Sequence, residues 1–411
     1  MDKKSSLIPM LIIGVLFFIF GFVTWLNGSL IPYLKVICDL NEFEALFVTF
    51  AFYIAYTVMA FPMAMLLEKT GYKKGMALGL FVMSLGALLF IPAALRAEYF
   101  IFLSALFVLG TGLTILQTAS NPYIVLIGDI ESAAMRISIM GLINKSAGVL
   151  APLLFTAFIL SDIGTTNALE TVDTTKLAHI LITPYIVMAV ILFVLSLFVL
   201  FSSLEELKFE DDVYDTSNIF AFPRVILGAV ALFFYVGIEV IAGDTIGLYA
   251  QSLGVPNATA LTSYTMSFMV LGYLIGVFFI PKYLSQEKAL ILSALSGIVL
   301  LLGVAFSSVT GSHIITGIPD SVAFVAILGL ANALVWPTIW PLALKDLGKH
   351  TAKASALLIM AIAGGALIPL VFGKIAQITE NMQEAYLLGI VCYLIILFYA
   401  LKGHKLQSWR A

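Results

Sequence analysis

YFIFLSALFVLGTGLTILQTASNPYIVLIG, residues 99–128, carries no Asp, Glu, Lys or Arg over 30 positions. The hydrocarbon core of a bilayer is ~30 Å thick and takes roughly 20 helical residues to cross. The run therefore reads as a transmembrane helix. Inside it lies a polar island, Gln117-Thr118-Ala119-Ser120-Asn121. An amide at that depth has no water to bond, so it needs a protein partner or a bound solute. Gln117 and Asn121 are four apart and share one helix face. That face is expected to look into a cavity.

Composition extends this reading to the whole chain. Of its 411 residues, 61% are hydrophobic and only 11% charged, and a soluble chain would carry about twice that charge. A net charge of -3 gives no footprint for nucleic acid. Cys38 and Cys392 stand far apart, which argues against a disulfide framework or a zinc site. Met1-Asp2-Lys3-Lys4 leads into a second uncharged run of 30 residues. That is too long for a signal-peptide core and no small-residue cleavage site follows, so it too is read as a span.

Twelve such spans are expected, at 8–34, 44–67, 75–95, 99–127, 134–160, 178–203, 224–251, 259–280, 289–310, 319–343, 354–376 and 384–402. Positive residues collect on the cytoplasmic side of membrane proteins. With both termini inside, sixteen of the 21 Lys and Arg fall on the inner side and four on the outer, with Lys145 inside a span. The expected fold is an all-α polytopic membrane protein of twelve transmembrane helices in two six-helix halves, with both termini cytoplasmic. The halves are 1–204 and 223–411, joined by a cytoplasmic acidic linker at 205–222 that holds Glu205, Glu206, Glu210, Asp211, Asp212 and Asp215.

A shift of 219 residues supports the division. It sets Pro62 on Pro281, Lys69 on Lys288, Gly110 on Gly329 and Pro122 on Pro341. Two parallel repeats about the membrane normal suit an alternating-access transporter. The same shift puts Gln117 on Trp336 and Asn121 on Trp340, amides in one half against flat aromatic faces in the other.

Charge at depth narrows the chemistry. Lys145 lies near the middle of span five and Glu239 near the middle of span seven, with Asp244 five residues on. An ionisable group at the bilayer centre costs at least ~2.5 kcal/mol, so it faces a cavity or a partner. One reading is a static Lys145–Glu239 pair. The other is that Glu239, with Asp244, takes up and releases a cation, a proton or Na⁺, as access alternates. Asn27, Gln117, Asn121, Asn144 and Asn332 supply neutral donors and acceptors, and Trp25 and Trp336 supply aromatic faces. Amides beside aromatic rings suit a sugar, with its hydroxyl edges and apolar C–H faces; packing and a nucleoside-sized ring are the alternatives. Substrate-binding candidates are therefore Trp25, Asn27, Gln117, Asn121, Asn144, Asn332 and Trp336. Cation-coupling candidates are Glu239, Asp244 and Lys145, with a possible Na⁺ near Glu239. Tyr53, Tyr56 and Tyr235 are read as structural. The basic loop Glu68–Gly75 is read as a structural and gating element whose cations bond helix C-terminal carbonyls.

The chain is not read as an enzyme. His179, His313, His350 and His404 fall at span ends or in loops, and no Ser-His-Asp set, metal cluster or phosphate loop converges.

The stretches Phe20 to Gly28, Ala51 to Tyr56, Gln117 to Tyr123, Tyr235 to Glu239 and Trp336 to Ile339 resemble the fucose:proton symporter family, particularly its glucose/galactose branch. The resemblance runs along nearly the whole chain. It implies the major facilitator fold, spans one, four, seven and ten around a central sugar site, and a rocking cycle. It also implies uptake across a bacterial inner membrane. One departure matters. Where fucose-specific members have an Asp in span one and a Glu in span four, this chain has Gly28 and Gln117, and neither titrates. Fucose members have Gln at the position of Glu239. A coupling carboxylate has on this reading moved to span seven.

The expected function is import of a glucose- or galactose-like hexose coupled to H⁺ or Na⁺. Fucose, N-acetylglucosamine and an uncoupled uniporter are the alternatives. No cofactor is expected. The partners are a sugar, the lipid bilayer and no nucleic acid, and the protein is expected to be a monomer.

Overall fold

The computed structural model describes residues 7–126, 133–163, 174–206, 219–280, 283–345, 347 and 351–409. Among them twelve helical segments are long and apolar enough to cross a membrane. Each falls on a span read from the sequence. The described residues form no strand beyond one bridge between Ile315 and Ile318. The chain separates into two compact units, Met1–Asn41 with Phe47–Phe209, and Glu42–Leu46 with Glu210–Ala411. Most of the acidic linker lies outside the described residues, and so does Pro281.

In the first unit span one is a broken helix, Leu7–Trp25 followed by Asn27–Ile37. Span two is Phe47–Thr70, span three Tyr72–Arg96, span four Tyr99–Leu126 and span five Ala133–Ile163. Span six is Thr174–Ile180 followed by Ile182–Phe201. Span three is tied to span six by two serines that reach across to carbonyls. Ser84 Oγ donates to Ala189 O at 2.8 Å and Ser196 Oγ donates to Ala77 O at 2.7 Å. Such bonds are worth roughly 0.6 kcal/mol each in a membrane, where the separated helices also find partners. The opposite face of span six exposes Val190, Val194, Phe198 and Phe201. Large apolar side chains facing outward in a row are a lipid-facing stripe.

The basic loop between spans two and three places a cation on a helix C-terminal carbonyl. Gly71 turns it with φ 78°, a conformation that glycine alone adopts without strain. Lys73 Nζ donates to Ser202 O at 2.7 Å, where the span-six helix ends, and Lys73 N donates to Glu206 Oε1 at 3.1 Å. A cation on a helix C-terminus is favourable on both charge and hydrogen-bond grounds.

In the second unit span seven is Pro223–Asp244 followed by Ile246–Ser252. Span eight is Thr262–Phe279 and span nine Gln286–Phe306. Span ten is Asp320–Asn332 followed by Val335–Leu344. Span eleven is Thr351–Met360, a 3₁₀ turn at Ala361–Ala363, then Gly364–Thr379. Span twelve runs through Met382–Ala385 and Leu388–Leu401.

The interruptions carry information. Span one breaks at Leu26 and span seven at Thr245, and the two positions stand 219 residues apart, the same shift that aligns the sequence landmarks. Spans four and ten also pack alike. A Cβ on Gly110 would collide with the Phe52 carbonyl of span two, and one on Gly329 with the Thr265 carbonyl of span eight. Glycine is required at both for helix backbones to approach this closely.

Candidate functional site

The ten candidate residues divide between the units. Trp25, Asn27, Gln117, Asn121, Asn144 and Lys145 are in the first, and Glu239, Asp244, Asn332 and Trp336 in the second.

In the first unit the break in span one places Trp25 and Asn27 on either side of Leu26. Both are buried, and among the described residues neither Trp25 Nε1 nor Asn27 Nδ2 has a hydrogen-bond partner. A buried donor left without an acceptor costs about 1–3 kcal/mol. Span five brings Lys145 to the same spot, with Nζ 4.4 Å from the centre of the Trp25 ring. A desolvated cation–π contact is worth about 2 kcal/mol, close to the ~2.5 kcal/mol that a lysine costs at the bilayer centre. The ring thus offsets most of that cost. The neighbouring Asn144 Nδ2 donates weakly to Phe17 O at 3.3 Å.

Gln117, one turn from Asn121 on span four, meets span two. Its Nε2 donates to the Tyr56 hydroxyl at 2.8 Å, and the Tyr53 and Tyr56 rings lie 6.2 Å apart and nearly parallel. Gln117 and Asn121 are both only half-buried. The polar island therefore has a protein partner on one side and open space on the other.

In the second unit the Tyr235 hydroxyl donates to Glu239 Oε1 at 2.7 Å, one turn along span seven, and both residues are buried. Trp336 leans over Tyr235 with ring centres 6.4 Å apart, and stacks on Trp340 at 5.3 Å and 26°. The short helix after the break in span ten thus presents a double aromatic plate. The residue before that break is Asn332. It accepts from the Tyr393 hydroxyl at 2.7 Å, and its Nδ2 has no partner among the described residues. Tyr273 and Tyr393 both lie within electrostatic range of Glu239. Asp244 is fully buried at the last turn of the first span-seven helix.

Two residues read as structural turn out to hold the candidates in place, Tyr56 for Gln117 and Tyr235 for Glu239. Tyr273 and Tyr393 give no signal in the sequence. The chain has 16 tyrosines, and nothing local separates these two from the tyrosines that collect at membrane interfaces.

The family model described as Major Facilitator Superfamily matches residues 13–369. A glucose/galactose transporter of Brucella abortus biovar 1 (strain 9-941) is 34% identical over 403 residues, covering 95% of this chain and 93% of that protein. The L-fucose-proton symporter of Escherichia coli (strain K12) is 28% identical, covering 97% of this chain and 94% of its own length. The crystal structure of the E. coli fucose:proton symporter superposes with a TM-score of 0.73 at 25% identity, covering 96% of this chain and 98% of that one. The chain belongs to the Major Facilitator Superfamily, in the family that includes the Brucella glucose/galactose transporter.

Proposed function

We propose that this chain imports a hexose of the glucose/galactose class across the bacterial inner membrane, driven by a cation taken up in its second half at Glu239. The observation that carries the reading is the buried Tyr235–Glu239 hydrogen bond beside the Trp336 plate. Spans seven and ten thus bring a group able to exchange a cation beside an aromatic face able to stack on a pyranose. The two buried donors at Trp25 and Asn27 add acceptor-seeking groups of the kind that sugar hydroxyls satisfy. Within the family the glucose/galactose transporter is nearer in sequence than the fucose symporter, at 34% against 28% identity, which favours the former substrate class. The proton-coupled relative favours H⁺ by homology. By the resemblance to the fucose:proton symporter family, Gly28 and Gln117 stand where its fucose-specific members have acids, and neither titrates, which keeps Na⁺ as the competing ion. In this reading the termini are cytoplasmic and the chain divides into six-helix halves at 1–204 and 223–411. The transporter acts as a monomer in this reading.

The test is uptake of labelled glucose or galactose into proteoliposomes under an imposed H⁺ or Na⁺ gradient. Accumulation above equilibrium with one ion is the expected result, and equilibration without accumulation under both means a uniporter. Glu239→Gln is expected to lose accumulation and to retain part of the sugar exchange. Full accumulation in that variant takes Glu239 out of the coupling role.

A further inference from the structure

Spans two and four run so close at Gly110 that a Cβ there would meet the Phe52 carbonyl and the Ala55 side chain. Tyr56 lies one turn beyond Phe52, and Gln117 two turns beyond Gly110. The close approach therefore brings these two side chains together, with Gln117 Nε2 donating to the Tyr56 hydroxyl at 2.8 Å. Packing fixes the tyrosine. It is buried, the Tyr53 ring lies nearly parallel at 6.2 Å, and the Phe52 ring stands edge-on at 6.4 Å. A glutamine amide on its own turns easily about its last torsion. Here it is bonded to a hydroxyl that does not move, so the amide faces one way.

That bond uses one of the two N–H groups of the amide. The second N–H and the carbonyl Oε1 have no partner among the described residues. A bond that only held two helices together would lie sunk between them. Gln117 is half-buried instead, and so is Asn121 one turn along the same face. The unused edge of the amide offers a donor and an acceptor side by side. Two neighbouring sugar hydroxyls are its complement, one donating to Oε1 and the other accepting from the second N–H. A C–H in place of either hydroxyl leaves its amide partner unpaired, and a site built to bond a hydroxyl discriminates strongly against the analogue lacking it. We propose that Tyr56 is a specificity-determining positioning residue, and that the amide it holds reads two adjacent hydroxyls of the hexose. The assignment rests on the hexose-import reading above and narrows its substrate to sugars that carry both hydroxyls.

The experiment measures binding of glucose, galactose and their monodeoxy analogues, one hydroxyl removed at a time, to the purified full-length protein. In the wild type, removal of either of two adjacent hydroxyls is expected to weaken binding roughly tenfold. Tyr56→Phe keeps the ring and removes the hydroxyl that holds the amide. It is expected to weaken the parent sugar while leaving those two analogues nearly unchanged, so that discrimination at the two positions collapses to about threefold or less. Penalties at the other hydroxyls are expected to stay as in the wild type. A Tyr56→Phe variant that keeps the full discrimination overturns the proposal. So does one that weakens the parent and every analogue alike, since that is the mark of a packing role. If Tyr56→Phe does not fold, Gln117→Leu decides, and retention of both penalties in it overturns the assignment. A wild type that binds hexose without penalties at two adjacent positions removes the assignment and leaves the import reading standing. A wild type that binds no hexose overturns the import reading and the assignment with it.

Discussion

Gln117 shows how much one side chain decides. Its amide donates to Tyr56, which fixes the group on one side and leaves the rest of the amide toward open space. A neutral hydrogen bond contributes about 0.5–1.5 kcal/mol net, and 1.4 kcal/mol is tenfold in affinity. Gln117→Ala is therefore expected to weaken hexose binding roughly 3- to 10-fold, read by isothermal titration or by the concentration dependence of uptake; unchanged affinity removes Gln117 from the sugar site. Cys38 permits a second prediction. It lies just beyond span one, and burial pushes its thiol up to about 11. Burial disfavours the thiolate, so at neutral pH Cys38 holds about a hundredth of the thiolate of an unperturbed cysteine. Because Cys392 is fully buried, alkylation should be slow at pH 7 and should climb about tenfold per pH unit toward pH 10. A rate flat across that range would mean that the thiol is not held up.

At the scale of elements, the twelve spans were readable because crossing a bilayer demands long uncharged runs, and such runs are visible without any tertiary information. The interruptions were not readable. Leu26 and Thr245 are unremarkable residues in apolar surroundings. What stabilises the break at Thr245 comes from Thr262 and Thr265 on another helix, which no local pattern around span seven reveals. The site follows the same division. Trp25, Gln117 and Glu239 stand out as polar or aromatic groups at depth, whereas Tyr273 and Tyr393 matter only through the span they happen to face. Helix contacts make the third prediction. Gly110→Val and Gly329→Val each drive a side chain into a carbonyl of the neighbouring span. Overpacking of this kind costs about 1–3 kcal/mol or more. Both variants are expected to lower Tm by several degrees or to lose folded protein on size-exclusion chromatography. A wild-type Tm in either would mean that the spans separate freely there.

For the whole molecule, the two units keep matching breaks in spans one and seven while the residues around them have diverged. One unit places Trp25 before its break and the other Asp244, so matching interruptions follow an aromatic ring in one half and a carboxylate in the other. This asymmetry suits the proposed cycle, in which a neutral sugar and an ion are recognised together. The aromatic plate has a further, optical consequence. Two indoles stacked at 5.3 Å and 26° are close enough for their transitions to mix, which gives the near-ultraviolet circular dichroism a signature of their mutual angle. Trp409, at the exposed end of the chain, and Trp25, under its lysine, are the only other indoles. Hexose addition to the unlabelled protein should therefore change that spectrum, and Trp336→Phe should remove the change while Trp409→Phe leaves it intact. A spectrum indifferent to sugar in the wild type would show that the plate takes no part in binding. With a response, the protein carries its own reporter of occupancy, written in the angle between two rings.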